Sequence, residues 1–151
     1  MMQNQIPKNH MDIPWHQFTG SDKSLPITQT GLTEKASVIG RTGLMMLSCG
    51  TGAWRVRSSM NSLATLLGVT CTADIGLLAI SYTCIEGTDT YTQSISLPTT
   101  GVNTHKLMEL ELFMKEFPDK VSTYSVKHIH EVLDEIQKLP ANYQAWNLGL
   151  A

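Results

Sequence analysis

Apolar positions in this chain recur with a helical period through residues 32 to 67 and with a two-residue period through residues 69 to 97. Leu32, Ala36, Ile39, Gly43, Met46 and Leu47 fall on one helix face and predict a first helix that begins near Leu32. Gly40 and Gly43 lie inside it, and each costs a helix about 1 kcal/mol relative to alanine, so their presence predicts the close approach of another helix. The run Gly50-Thr51-Gly52 breaks the rod. Ala53, Val56, Met60, Leu63 and Leu67 then place one apolar stripe on a second helix, with Gly68 at its stop position.

The period changes at Val69. Val69, Cys71, Ala73 and Ile75 alternate with Thr70, Thr72 and Asp74, the pattern of a half-buried strand. Gly76 punctuates, and Leu78, Ile80, Tyr82 and Cys84 alternate again. Glu86-Gly87-Thr88-Asp89 reads as a hairpin turn, and Tyr91, Gln93, Ile95 and Leu97 as a third strand that Pro98 ends. Short strands with tight connections imply an antiparallel meander, and a small bare sheet needs helices on one face. Past the Thr99–Asn103 loop, Asn103 or Thr104 caps a third helix carrying Leu107, Leu110, Met114 and Phe117, which Pro118 is expected to stop. A fourth helix starts at Ser125 and turns Ile129, Val132, Leu133 and Ile136 inward, ending before Pro140. The order ααβββαα describes an α+β domain, a three-stranded antiparallel meander flanked by two helix pairs. Its organising stretch is Leu47 to Cys84. Residues 31–140 form the domain. Residues 1–30, without a period, read as a mobile arm from which Ile13, Trp15 and Phe18 can dock.

Composition narrows the class without naming a chemistry. The 151 residues are 42% hydrophobic and 16% charged with net charge −2. That fits one globular domain and gives no electrostatic case for nucleic acid. Cys49, Cys71 and Cys84 are odd in number and lack CxxC spacing, which fits free thiols in a reducing compartment. The first residues lack the basic start and apolar run of a signal peptide, and no window reaches the roughly 20 apolar residues of a membrane span. These features describe a soluble, cytoplasmic chain.

No catalytic set emerges from the residues. Lys127-His128-Ile129-His130-Glu131 with Asp134 and Glu135 is the one cluster resembling metal ligands, but His128 and His130 point to different faces. A solvated charged helix face is the expectation there, with no metal and no cofactor. Cys49 lacks a neighbouring base and reads as a small buried residue. The glycines of Gly50-Thr51-Gly52 match no phosphate loop. Arg55 and Arg57 splay on the second helix, and Asp74, the one charge inside a strand, reads as polar-face, with a buried partnership to Arg55 as the alternative. Asn103, at a helix start, can cap the helix or help hold an anion.

Leu47 to Val69 resembles the amino-terminal domain of the threonine/serine exporter family of bacterial membrane proteins. Leu47, Gly50, Arg55, Val56, Met60, Leu67 and Gly68 match the family's pattern, with Trp54 where an aromatic is usual. The resemblance returns in Pro98-Thr99-Thr100-Gly101-Val102-Asn103 followed by Leu107, and covers roughly residues 32 to 146. Gly52 and Arg57 stand where acidic residues are common, so roles tied to those carboxylates, including an amidohydrolase-like activity, lose support.

The resemblance implies an extramembrane domain on the cytoplasmic side of a proton-driven exporter at the cell membrane, one that carries small hydroxy amino acids or, in two-component relatives, a dicarboxylate. Its role would be regulatory or in assembly rather than catalytic. Its partners would be the exporter's membrane-spanning part, on the same gene or a partner subunit, a small amino acid, and other copies in a homo-oligomer. Residues 141–151, with Trp146, then read as the approach to a first span, in a truncated chain or one whose partner supplies the membrane part. Two alternatives stand beside this expectation. One is a small-molecule hydrolase using Asp74, Asn103 or the face from His128 to Glu135. The other is an amino-acid sensor binding near Arg55, Asp74 and Asn103, with Arg55 pairing the ligand carboxylate.

Overall fold

A computed structural model describes residues 13–20, 24–97 and 100–140. Past two short 3-10 turns (Trp15–Phe18 and Ile27–Gln29), the described residues form α1 (Leu32–Ser48), α2 (Ala53–Leu67), β1 (Thr70–Ile75), β2 (Ala79–Glu86), β3 (Asp89–Ser96), α3 (Thr104–Lys120) and α4 (Val126–Gln137). The strands form one antiparallel sheet in the order β1-β2-β3, so the domain is α+β with the expected ααβββαα order. The strand stop expected at Pro98 and the span approach expected at 141–151 lie outside the described residues.

The layers explain why α1 has no polar face. On one side α1 packs on β2 and β3, with α2 beside it over β1; on the other side α1 packs on α4, against which α3 lies. Every residue of α1 from Lys35 to Leu47 is consequently buried, although the sequence marks only one apolar stripe. A helix that is apolar or satisfied all round belongs in the middle of a domain. The two inner glycines serve two different neighbours. A Cβ on Gly43 would lie 2.5 Å from Met60 Sδ of α2, the expected close helix. A Cβ on Gly40 would lie 2.1 Å from Tyr82 Oη, so Gly40 admits the sheet rather than a helix. The buried Tyr82 hydroxyl donates to the Ala36 carbonyl at 3.0 Å, fixing sheet to helix.

The meander is two-faced, as period two dictates. Cys71, Ile75, Ile80, Tyr82, Cys84 and Ile95 are buried beneath the helices, with Ala73 and Tyr91 partly so. The other face carries Thr70, Thr72, Asp74, Ser81, Thr83, Thr90, Thr92, Ser94 and Ser96, joined across strands by Ser81–Ser94 (2.9 Å) and Thr83–Thr92 (2.8 Å) hydroxyl contacts. Gly68 and Gly87 take positive φ (74° and 64°), at the α2 stop and in the β2–β3 hairpin respectively.

Pro118 does not stop α3, which runs on to Lys120. The ring removes one N–H, but the next turn recovers at once, with the Val121 N–H donating to the Phe117 carbonyl at 2.9 Å. Phe113 and Phe117, buried one turn apart just ahead of the proline and packed ring to ring, anchor that end of the helix to the core. Ahead of α1, Trp15 and Ile27 are buried, Ile13 and Phe18 are partly buried against the core, and the Ile27 N–H donates to the Tyr124 carbonyl at 2.8 Å.

Candidate functional site

The two segments with the most distinctive residues, Gly50-Thr51-Gly52 and Thr100-Gly101-Val102-Asn103, meet at one end of the domain. α1 ends with unpaired carbonyls, as every helix does. The 100–103 loop supplies donors: the Gly101 N–H reaches the Ser48 carbonyl and the Asn103 N–H the Cys49 carbonyl, both at 3.3 Å. Gly50, at φ 91°, lets the chain turn against Val102, whose Cα would sit 3.5 Å from an added Cβ. A cleft of about 410 Å³ opens between these segments and the β1–β2 turn, lined by Leu47, Gly50 to Ala53, Ile75 to Leu77 and Thr100.

Three features of the cleft bear on what it can do. The α2 amino terminus faces it with Gly52 as an N-cap that has no side chain and with no acidic residue in the first turn, so the positive helix end is not neutralised locally. Thr51 is buried, and its hydroxyl has no hydrogen-bond partner among the described residues. Three large apolar side chains are exposed near it: Leu77, at 91% of its full accessible surface, lines the cleft, Val102, at 81%, lies against Gly50, and Trp54, at 70%, follows the lining Ala53 and faces a shallower groove along α2 with Arg57 and Ser58. Each sits on a segment that lines or abuts the cleft.

The singled-out residues are spread over this end and beyond. Asn103 is the N-cap of α3, its Oδ1 accepting from the Lys106 N–H at 3.0 Å. Arg55 pairs with Glu111 of α3, both side chains about half exposed. The alternative Arg55–Asp74 partnership is not formed, because Asp74 is exposed on the open face of the sheet while α2 covers the other. Arg57 Nε donates to the Ala73 carbonyl at 3.2 Å and so covers an outward carbonyl of the edge strand β1. Cys49 is buried, and burial pushes its thiol up from the ordinary value, away from a reactive thiolate.

The expected solvated face of α4 holds for His128 and Glu131 but not for His130. His130 is fully buried against α1, because Val126, Ile129, Leu133 and Ile136 carry that side of the helix inward with it. Its partners are Ser37 Oγ at Nε2 (2.9 Å) and Arg41 Nη1 at Nδ1 (3.1 Å). Guanidinium can only donate, so Nδ1 accepts and the ring proton is on Nε2, donating to Ser37 Oγ. Ser37 in turn donates to the Glu34 carbonyl at 2.7 Å. Arg41 also donates to Asp134 Oδ1 (2.6 Å), Gln137 Oε1 (2.9 Å) and the His130 carbonyl (3.1 Å), and Trp15 stacks over the imidazole at 6.0 Å. His16 Nε2 closes the network on Asp134 Oδ2 at 2.6 Å.

This network superficially contains a Ser–His pair, and its electrostatics oppose nucleophilic use. In the Ser-His-Asp arrangement a carboxylate stands behind the imidazole and stabilises its protonated form; here a cation stands there and opposes it. Burial first, then the Arg41 charge, lowers His130 to about 3. Burial alone would raise the Asp134 carboxyl, but hydrogen bonds from His16 and Arg41 outweigh it and hold the group below its ordinary value. Among the described residues no three His, Cys, Asp or Glu side chains converge as metal ligands. The network ties α1, α4 and the Trp15 segment together.

Its pH signature follows from these shifts. Between about 3 and 6.5 the unfolded chain protonates His130 and the folded one does not. Stability is therefore full above that window and falls by up to about 1.4 kcal/mol per pH unit as the medium is acidified through it. Asp134, depressed in the fold, adds to the loss at lower pH still. Melting temperature measured against pH should decline below neutrality, and His130→Gln should flatten that decline.

With the cleft and the network in place, comparison with known proteins decides the lineage. A model of the ThrE family of threonine/serine exporters matches residues 37–151, well over half of the chain. The chain belongs to the ThrE family. The match begins inside α1 and takes in every residue of the cleft, so both converging segments are ThrE sequence. Neither a curated protein nor a solved structure matches the chain. Membership makes this a protein related to threonine/serine export, and no helix among the described residues is long and apolar enough to cross a membrane.

Proposed function

We propose that this chain is the extramembrane, cytoplasmic-side domain of an amino-acid exporter at the cell membrane, and that it acts in assembly by docking its cleft end on the exporter's membrane-spanning part. The observation that carries this reading is the exposure of Leu77, Val102 and Trp54 on the three segments that form the cleft end, the β1–β2 turn, the 100–103 loop and the first turn of α2. Exposed apolar groups gathered at one place mark interaction surfaces, whereas scattered ones need no explanation. An aromatic anchor such as Trp54 is the kind of residue that dominates interface energies. ThrE membership supports the transport context.

The test is threonine efflux from cells carrying the complete exporter, with Trp54→Asp and Leu77→Asp combined in this domain. Both side chains are solvent-exposed, so the purified variant should melt as the parent does. Efflux and co-purification with the membrane part should fall at least tenfold. Unchanged efflux would sink the docking role.

A second reading, an amino-acid sensor, draws on the unpartnered Thr51 hydroxyl beside the uncapped α2 terminus. Arg55 supports it less, because Glu111 already occupies the guanidinium. A sensor at 100 times its dissociation constant of threonine, serine or succinate should gain about 2.7 kcal/mol of stability. A melt unmoved by all three would dismiss sensing and leave assembly.

A further inference from the structure

The two edges of the meander are treated differently. On β1 the Arg57 guanidinium covers the Ala73 carbonyl. β3 is the other edge, eight residues long, Asp89-Thr-Tyr-Thr-Gln-Ser-Ile-Ser96. Natural sheets guard such an edge with lysine, proline or a bulge. β3 has no basic residue and no proline, and its pairing with β2 runs without a bulge from Ala79↔Ser96 to Glu86↔Asp89.

The hydrogen-bond phase says which groups face outward. The Leu97 N–H donates to the Leu78 carbonyl at 2.7 Å. Bonded and non-bonded pairs alternate along an antiparallel ladder. Ile95, Gln93, Tyr91 and Asp89 therefore bond to β2, and the N–H and C=O groups of Thr90, Thr92, Ser94 and Ser96 point away from the sheet. Among the described residues no backbone hydrogen bond joins those groups to another segment.

We infer that β3 pairs antiparallel with β3 of a second copy of this chain, about a two-fold axis at Gln93, joining the two meanders into one continuous sheet. The strand is complementary to itself in that register. Thr92 meets the partner copy's Ser94, and Thr90 its Ser96. These are all outward-facing residues, so four bonded pairs give about eight backbone hydrogen bonds. On the helix-covered face Tyr91 lies opposite Ile95 of the second copy, an aromatic–aliphatic pair of the favourable kind. On the open face the Ser81–Ser94 and Thr83–Thr92 hydroxyl rows continue across the junction. The one charge, Asp89, meets Leu97, and the two Asp89 side chains end roughly 27 Å apart at 3.4 Å per residue, clear of mutual repulsion. Shifting the axis by one residue along the strand loses bonded pairs, which is why Gln93 marks the centre. This inference is independent of the docking role proposed for the cleft end.

Sedimentation equilibrium of the full chain should show a monomer–dimer equilibrium. Thr92→Pro removes a central outward N–H that the intramolecular ladder does not use, and Ser94→Lys places a charge at the junction. Each should shift the chain to monomer with its circular dichroism retained, and Ser94→Lys keeps the test open should the proline variant fold poorly. Gln93→Cys should form an intermolecular disulfide with oxidised glutathione as oxidant, since residue 93 faces its own copy in a non-bonded pair, whereas Thr72→Cys on β1 should not. A chain that stays monomeric at every concentration overturns the inference, as does a dimer that survives Ser94→Lys without cross-linking through Gln93→Cys.

Discussion

Gly40→Ala is expected to cost about 3 kcal/mol or more, the largest effect of any single methyl group in this domain. The added Cβ would fall 2.1 Å from Tyr82 Oη, 2.3 Å from Cζ and 2.7 Å from Cε1. Such contacts are relieved cheaply only by a flexible side chain. The Tyr82 ring is buried and its hydroxyl is tied to the Ala36 carbonyl, so α1 must lift from the sheet instead. Gly43→Ala makes the informative contrast. Its Cβ meets the end of Met60, at 2.5 Å from Sδ, and a methionine can repack. Denaturant midpoints should separate the two, with Gly43→Ala costing roughly 1 kcal/mol after the gain in helix propensity. Because Cζ as well as Oη is too close, Tyr82→Phe should rescue Gly40→Ala only in part. Equal costs at the two glycines would mean that α1 does not rest on Tyr82.

Arg41→Met is expected to destabilise the chain by about 3 kcal/mol, at the lower end of what removing one partner of a buried ion pair costs. Methionine keeps much of the volume but removes the donor that Arg41 supplies to Asp134 Oδ1 and to His130 Nδ1, leaving Asp134 only its His16 contact at Oδ2. The cost stays near that lower end because Asp134 is about one-third exposed and can recover water. A second observable separates lost hydrogen bonding from lost packing. With the Arg41 charge gone, His130 keeps its burial but loses the second cause of its depression. Its imidazole proton titration, followed by NMR, should move up from about 3 towards its ordinary range. A stable Arg41→Met protein with an unmoved His130 would show that the network does not hold α4 to α1.

The elements whose partner surfaces lie on one side were legible from the chain. α2 shows one apolar stripe because it packs by one side, and its run from Ala53 to the left-handed Gly68 is where the periodicity placed it. The strands alternate because one sheet face is open. α1 was half legible: its place followed from the stripe, but its burial on every side did not, since Lys35, Ser37, Arg41 and Thr42 are polar, lie off that stripe and are buried all the same. A signal was available in the stretch from Ala36 to Leu47, where Arg41 is the only charge. Its destination was not, because Arg41 and His130 are 89 residues apart and no local pattern joins them. Likewise the spacing on α4 placed His128 and His130 on different sides without showing which side faced α1. At the candidate site, the glycine turn and the 100–103 loop each stood out, yet their meeting depends on the loop's N–H groups capping α1, a backbone contact that side-chain patterns do not encode. The fold gives Arg55 and Asn103 separate partners, Glu111 and the Lys106 N–H, and leaves Asp74 exposed on the open face of the sheet.

The docking role rests on the cleft end, and cross-linking tests it most directly. The three native cysteines are buried and leave the surface free for a single reactive label. A photoreactive group attached through Trp54→Cys, in the complete exporter in membranes, should cross-link this domain to the membrane-spanning part. The same group on Lys115→Cys, midway along α3, should not. Cross-links from both positions alike, or from residue 115 alone, would contradict the assignment of the cleft end as the docking surface.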